Sequence, residues 1–168
     1  GLNVNLALIA NGDAIALQGD HSLDREFGQM SDAAASAGLG LWASDACETD
    51  PSQMPDVSIV DYEYNPAGRD EEAMNGEWVA IRNHDDSSVD LSGWILRDES
   101  SQNRYVFPNG FNLNPGRETL VRVGCGDDTA SELFWCADAP VWSNGGDTII
   151  LELTDGTIVA WERFEGDF

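Results

Sequence analysis

Nucleophilic catalysis needs a general base beside a serine or cysteine, and the sequence offers two histidines for that role, His21 and His84. Both lie in polar stretches typical of surface loops. The sequence contains no G-x-S-x-G, no P-loop and no H-E-x-x-H pattern. We therefore assign no catalytic residue and predict that this chain is not itself an enzyme.

Clustered carboxylates are the other constellation that could do chemistry, because Ca²⁺ binds oxygen ligands. The clusters are Asp70, Glu71 and Glu72; Asp85, Asp86 and Asp90; and Asp127, Asp128 and Glu132. Their spacing fits no EF-hand, and the obligatory glycine is missing. Chance clusters are expected among 31 acidic residues. We favour solvated loops, assign no metal ligand and no cofactor site, and keep calcium as the alternative.

The three cysteines, Cys47, Cys125 and Cys136, lack the C-x-x-C spacing of zinc and redox sites. Cys125 and Cys136 enclose a loop with Gly, Asp and Ser residues. A disulfide closing this loop in an oxidising compartment would contribute about 3 kcal/mol, and two buried free thiols are the alternative. Cys47 is then unpaired, which suggests a partner elsewhere.

The charge balance is strongly acidic: 31 acidic residues and 8 basic residues give a net charge of -23. All the basic residues are arginines. Such a surface repels phosphate backbones and anionic headgroups, so direct nucleic-acid binding is disfavoured. Cations or basic proteins would be attracted, although we favour the simpler view that the acidity serves solubility.

No apolar run approaches the roughly 20 residues that span a bilayer, so we predict no membrane span. The chain opens on a patterned segment without an initiator Met or a basic leader. We expect it to be a piece of a longer protein.

The first third has the pattern of two short amphipathic helices. Apolar residues at positions 4–10 lead to Asn11 and Gly12, a pair typical of a helix end. A second helix is predicted over residues 23–37, with Ser22 as its N-cap. Helices this short bury little apolar surface alone, so they must pack on the following domain or on a domain outside this sequence.

Residues 44–56 (SDACETDPSQMPD) separate two regions of different periodicity. This stretch is polar and acidic and contains two prolines, which is linker composition. We therefore divide the chain into a helical segment (residues 1–43), a linker (residues 44–56) and a β-domain (residues 57–165).

The β-domain consists of short stretches with a period of two, separated by Gly, Asn and Pro turns. We predict strands at Val57 and Ile59 and over residues 77–83, 94–98, 105–107, 119–123, 148–153 and 157–161. Six or seven such strands without intervening helices indicate a mainly β protein with an antiparallel sandwich.

Six tryptophans also suggest a binding surface. Trp78, Trp94 and Trp161 lie in strand patterns and should be at least half buried. Trp135 and Trp142 border the loop that ends at Cys136 and could anchor a contact, although core packing is favoured for them too.

The β-domain resembles the lamin tail domain over residues 57–164, in the version found in extracellular microbial proteins. The matching motifs are EWVAIRN (77–83), VDLSGWILRD (89–98), YVFP (105–108), LNPG (113–116) and WSNGGDT (142–148). The resemblance implies an immunoglobulin-like sandwich without an enzymatic site, located outside the cell or at its surface.

Residues 4–42 are similar to the C-terminal end of a staphylococcal-nuclease-type (thermonuclease) domain. The matching positions are VN (4–5), ALI (7–9), Gly12, AA (33–34) and GLGLW (38–42). In that family the calcium ligands and catalytic residues lie in a preceding β-barrel. Nothing here corresponds to that barrel, so no catalytic residue is carried over.

Three functions follow as hypotheses. The first is a non-catalytic binding or attachment module of a secreted, nuclease-associated protein, with a protein or surface ligand still unknown. The second is the C-terminal part of an active Ca²⁺-dependent nuclease whose barrel lies elsewhere. The third is a structural domain that self-associates through a sandwich edge or the aromatic loop.

Overall fold

The computed structural model describes residues 3–19, 21–47, 50–69, 73–100 and 102–166. It contains helices α1 (Val4–Ala10) and α2 (Asp24–Ser36). The strands are β1 (Val57–Glu63), β2 (Trp78–Asn83), β3 (Val89–Asp90), β4 (Ile95–Arg97), β5 (Arg104–Val106), β6 (Asn112–Leu113), β7 (Glu118–Arg122), β8 (Glu132–Phe134), β9 (Gly146–Glu152) and β10 (Ile158–Glu165). Short 3-10 turns lie at Gly40–Trp42, Pro51–Gln53 and Met74–Gly76.

The strands form two four-stranded sheets, with the orders β1-β2-β7-β8 and β10-β9-β4-β5. A short ladder pairs β3 with β6. Seven strands agree with the predicted stretches, and the predicted mainly β, immunoglobulin-like sandwich is confirmed.

Strands β3, β6 and β8 were not predicted. They have only two or three residues each and therefore show no readable alternation. Within this antiparallel sandwich one pair of strands differs, because β8 runs parallel to β7. The disulfide-closed turn and the 125–131 loop carry the chain back so that β8 starts at the same end as β7.

The main core lies between the two sheets. Alternate residues of β9 illustrate it: Ile149 and Leu151 point into this core, whereas Ile150 points to the opposite face of the sheet. The core consists of Val57, Val79, Ile81, Val89, Leu91, Trp94, Leu96, Tyr105, Phe107, Leu113, Val121, Val123, Leu133, Val141, Trp142, Ile149, Leu151 and Phe164. All of these residues belong to the predicted β-domain.

The helical segment packs on the outer face of the sheet that contains β9 and β10. We call this contact the docking cluster; it consists of Ala34, Ala35, Trp42, Ile150 and Ile158, with Ile15 and Trp161 packed against it. The sequence left open whether the helices pack on the following domain or on a domain outside this sequence. One side of the helical segment packs on the following domain.

Helix α2 differs from its prediction at its start. Leu23, not Ser22, occupies the N-cap position, and it makes no side-chain capping bond. The buried positions of α2 include Gly28, and a Cβ there would collide with the guanidinium of Arg163. The helix thus faces the sheet with small residues, a pattern that a search for large apolar side chains overlooks.

Among the described residues, no helix has the length and apolar character needed to cross a bilayer.

Candidate functional site

A disulfide joins Cys125, just after β7, to Cys136, just after β8. Both cysteines are exposed, unlike the buried thiols that the alternative interpretation required. Cys136 has a positive φ of 54°, and its N–H donates to Gly124 O at 3.0 Å. The bond and this turn together hold the chain after β8 against the end of β7.

An aromatic cluster lies beside the disulfide. Trp135 contacts Tyr105 at a ring-centroid distance of 5.8 Å and Trp142 at 6.1 Å. Trp142 is buried and Trp135 is half buried, so core packing dominates at Trp142, as predicted. Burial raises the pKa of Tyr105 above its ordinary value, and the nearby carboxylate of Asp128 adds to the shift.

A groove of about 540 Å³ runs between β5 and the segment after β8. We call it the β5 groove; it is lined by residues 102–106 and 135–139. The half-buried ring of Trp135 lies on one side of it and the exposed side chain of Val106 on the other. It combines an aromatic surface with a strand edge.

A turn and bulge before β4 set the register of β5. Gly93 has φ 75° and donates its N–H to Phe107 O at 3.1 Å, while Phe107 N–H donates to Trp94 O at 2.9 Å. This is the pattern of a bulge whose first residue is glycine in the left-handed region. The DLSGW motif therefore fixes which residues of β5 turn their backbone groups toward β4.

A buried ion-pair network holds Arg104 of β5. Glu152 accepts from Arg97 Nε at 2.8 Å and from the guanidinium of Arg104. Arg97 also donates to the backbone oxygen of Asp98 at 2.9 Å. The carboxylate of Asp98 accepts from Asn103 Nδ2 at 2.7 Å, so the connection into β5 is fixed at both ends.

Glu77 anchors the chain after the disulfide. Its side chain is 1% exposed, and Oε2 accepts from the N–H groups of Val141 and Trp142 at 3.0 and 3.3 Å. Charge-assisted bonds to backbone N–H groups satisfy a buried carboxylate. This contact fixes the approach to Trp142 from the opposite sheet.

Glu99, a partly buried carboxylate, joins the sandwich to the helical segment, and the buried carboxylate of Asp147 lies next to it, accepting from Glu99 N–H at 3.4 Å. Glu99 accepts from the N–H of Gln18 and from Thr148 Oγ1, the latter at 3.1 Å. Burial raises the pKa of Glu99 to about 7, even though the Gln18 bond opposes the shift. Burial likewise raises the pKa of Asp147 to about 6.

The two histidines do not come together. His84 Nε2 lies 2.8 Å from Ser58 Oγ, which is the separation of a base and a nucleophile. His84 is exposed and Ser58 is half buried, and among the described residues His84 has no carboxylate partner to orient its ring. His21 lies in the helical segment, 3.8 Å from Asp24. This arrangement lacks the third group and the enclosed site of a hydrolase.

In the acidic clusters that the structure describes, several carboxylates accept hydrogen bonds from backbone N–H groups or pair with an arginine. Asp85 accepts from Asp56 N–H at 3.0 Å, Asp90 from Ser92 N–H at 2.9 Å and Asp128 from Phe134 N–H at 2.9 Å. Glu132 pairs with Arg122 at 2.7 Å. In the described part of the chain, no three His, Cys, Asp or Glu side chains converge as metal ligands would. Asp70, Glu71 and Glu72 lie outside the described residues.

The burial of the carboxylates of Glu77, Glu99, Asp147 and Glu152 was not predicted from the sequence. Each acidic residue looks like a solvated surface charge in a chain with 31 of them. One signal was available: Asp147 and Glu152 bound an apolar run in a strand buried throughout its length.

Two mostly antiparallel sheets pack over one core. This arrangement defines an immunoglobulin-like module. The lamin tail domain model matches residues 50–165, which is more than half of the chain. The chain therefore belongs to the lamin tail domain family, as the sequence motifs predicted.

No curated protein matches the chain. The lamin tail match begins within the predicted linker, so the boundaries at residues 43 and 56 stay predictions. The likeness of residues 4–42 to the end of a nuclease domain also stays a prediction.

Proposed function

We propose that this chain is a non-catalytic attachment module of a secreted, nuclease-associated protein. Membership of the lamin tail family supports a non-catalytic role. The exposed disulfide between Cys125 and Cys136 supports an oxidising compartment, since such bonds persist outside the reducing cytosol.

The placement of the two functional regions carries this proposal. The helical segment packs against β9 and β10, at one side of the sheet with the order β10-β9-β4-β5. The β5 groove lies at the opposite side of the same sheet. A module that is fixed to its own protein at one edge and binds at the other would hold that protein on a ligand.

Attachment is tested with fluorescently labelled chain and intact cells of the source organism. We expect saturable surface binding that excess unlabelled chain displaces, and no DNA or RNA hydrolysis by the chain in Ca²⁺. Unsaturable binding, or turnover of nucleic acid, would contradict the proposal. Antibody detection of the native protein in medium and cell fractions tests secretion.

A second candidate function is that the helical segment completes an upstream nuclease domain. Most of the exposed large apolar side chains lie in this segment: Val4, Leu8, Leu17, Leu23, Leu39 and Leu41. Their exposure favours a further packing partner. The full reading frame tests this, because a nuclease barrel directly before residue 1 is required.

A further inference from the structure

Strand β5 presents backbone hydrogen-bonding groups at the edge of its sheet. Phe107 bonds to Gly93 and Trp94, and Tyr105 lies opposite Leu96. Hydrogen-bonded and non-hydrogen-bonded residues alternate along an antiparallel pair. The N–H and C=O groups of Arg104 and Val106 therefore point away from β4, toward the β5 groove.

The opposite side of the sandwich is closed by aromatic packing between the two sheets. Tyr62 of β1 and Tyr64 just after it stack on Phe164 of β10, with ring-centroid distances of 5.2 and 4.3 Å. Strands β1 and β10 lie next to each other at this side, which leaves little room for an added strand.

The edge of β8 is covered by its own loop. Phe134 N–H donates to Asp128 Oδ1 at 2.9 Å, and Glu132 O accepts from Thr129 N–H at 2.7 Å. Among the described residues, β5 is thus the edge of the two four-stranded sheets that retains room for another strand. Natural sandwiches cover such edges or use them for pairing.

The β5 groove is held open by covalent and buried polar contacts. The disulfide at Cys136 and the Trp142 contact of Glu77 fix the segment on one side. The bond from Asn103 to buried Asp98 fixes β5 on the other. A preformed groove loses less conformational entropy on binding than a mobile loop does.

Charge decides which strand fits. Residues 125–139 contain four acidic residues, Asp127, Asp128, Glu132 and Asp138, and no basic residue. Asp138 lines the groove itself, and Glu132 is paired with Arg122. The positive charge of Arg104 is offset in part by Glu152, which Arg104 shares with Arg97. With a net charge of -23, a second copy of the chain would be repelled, whereas a basic segment would be attracted.

We propose that the β5 groove binds an extended basic peptide segment of a partner protein, which adds to β5 as an antiparallel strand. This rests on the proposed attachment function and names its site and its class of ligand. Strand addition to a sheet edge gives affinity through backbone bonds and specificity through alternate side chains.

The register of β5 predicts the pattern of the peptide. Residues directly opposite each other in an antiparallel pair project their side chains on the same face. Peptide residues that bond to Arg104 and Val106 therefore point to the outer face, where basic side chains stay hydrated and where Glu152 offsets part of the charge of Arg104. The intervening residues point toward Trp135 and should be apolar.

The test uses the purified chain and the synthetic peptide KVKVKVK, followed by NMR titration at low salt. We expect saturable binding, with the largest amide shifts at Arg104, Val106 and Trp135. The acidic peptide EVEVEVE should bind at least tenfold more weakly. N-methylation of the lysine residues should cost at least tenfold, and N-methylation of the valine residues less than threefold.

Substitutions on the chain separate the backbone from the charge contribution. Val106→Pro removes one outward N–H without breaking a bond to β4, and it should weaken binding at least tenfold; Val106→Thr retains the N–H and should bind normally. Asp138→Asn should weaken binding about threefold through lost charge attraction, and Asp86→Asn, a matched exposed control, should not change it. Unchanged melting temperatures show that the variants fold.

Equal binding of both peptides, amide shifts away from β5, or a folded Val106→Pro variant with normal affinity would overturn the inference. So would sedimentation showing a dimer that Val106→Pro dissociates, because the occupant would then be a second copy. Surface attachment that survives Val106→Pro would overturn the β5 groove as the site and leave the attachment function standing. Peptide binding without any surface attachment would do the reverse.

Discussion

The sandwich buries its apolar side chains between its own two sheets, whereas the helical segment buries its apolar side chains against the sandwich. The eighteen side chains of the main core all come from residues 57–164, so the two sheets cover each other without help. The docking cluster takes three side chains from the helical segment and two from the sheet, Ile150 and Ile158. The helices thus need the sandwich, whereas the main core does not need the helices.

The free energy of unfolding should therefore depend on the two sets of contacts in different ways. Loss of a main-core contact should unfold the whole molecule, and loss of a docking contact should release the helices first. Local opening below the global free energy of unfolding is expected where few apolar contacts hold a segment.

The largest effect is expected at Leu151, which is fully buried in the main core. Leu151→Ala should lower the free energy of unfolding by about 3 kcal/mol, since it removes apolar contacts and leaves a cavity. Chemical denaturation followed by tryptophan fluorescence measures this. Val106→Ala, at an exposed position of β5, is the control and should change little; equal losses would mean that the core is not where the stability lies.

Reduction of the disulfide should come next. The bond closes a loop with a sequence separation of 11 residues, and its removal by Cys125→Ser with Cys136→Ser should cost about 3 kcal/mol or less. The cost should fall on the sandwich, measured by denaturation, with the hydrogen exchange of α2 unchanged. Cys47→Ser, at an exposed free cysteine, is the matched control. A thiol count of three on unreduced protein would contradict the bond.

A smaller and local effect is expected for Trp42, which packs on Trp161 at a ring-centroid distance of 5.3 Å. Trp42→Ala should lower the free energy of local opening in α2 by about 2 kcal/mol and so speed its hydrogen exchange. The effect is smaller than that of a main-core truncation, because the helical segment can undock while the sandwich stays folded. Exchange in β2 and β7 should stay slow. Equal acceleration in both regions would show that the helices and the sandwich unfold as one unit.

The smallest effect is a pH dependence at the junction between the two regions. The pKa of Glu99 is raised to about 7 by burial, so the folded state holds this proton more tightly than the unfolded chain does. The resulting stabilisation is complete below the ordinary pKa of a glutamate and is lost as the pH rises through 7. We expect a contribution of about 1 kcal/mol after allowance for solvent screening.

Glu99→Gln isolates this contribution, since overall charge repulsion also changes with pH. The variant should lose less stability than the native chain between pH 5 and pH 8, measured by urea denaturation. Glu118→Gln, at a side chain that is 48% exposed and paired with Arg82, removes the same charge and should leave the pH dependence unchanged. A Glu99→Gln profile parallel to that of the native chain would contradict the assignment.

Most of the sandwich could be predicted because its strands show the signals on which sequence reasoning depends. The alternating run in β2 and the apolar run in β9 are long enough to reveal their period, and Asp155-Gly156 marks the hairpin between β9 and β10. Trp94, which its strand pattern predicted to be at least half buried, lies in the core.

The candidate site could be predicted only in part. Trp135 and Cys136 stood out as rare residue types in a loop. Their neighbours in the β5 groove did not, because residues 102–106 lie about 30 positions away and are ordinary strand residues. Glu99 was not predicted either, since its partners Gln18 and Thr148 lie far from it in the sequence.

The period-two pattern, the turn positions and the acidic surface follow from the residues alone, because backbone preference and side-chain polarity act over a few residues. Tertiary structure decided which face of β9 receives the helices, which strand edge stays uncovered and which carboxylates are buried. Those outcomes depend on contacts between residues far apart in the chain, and only packing brings such residues together.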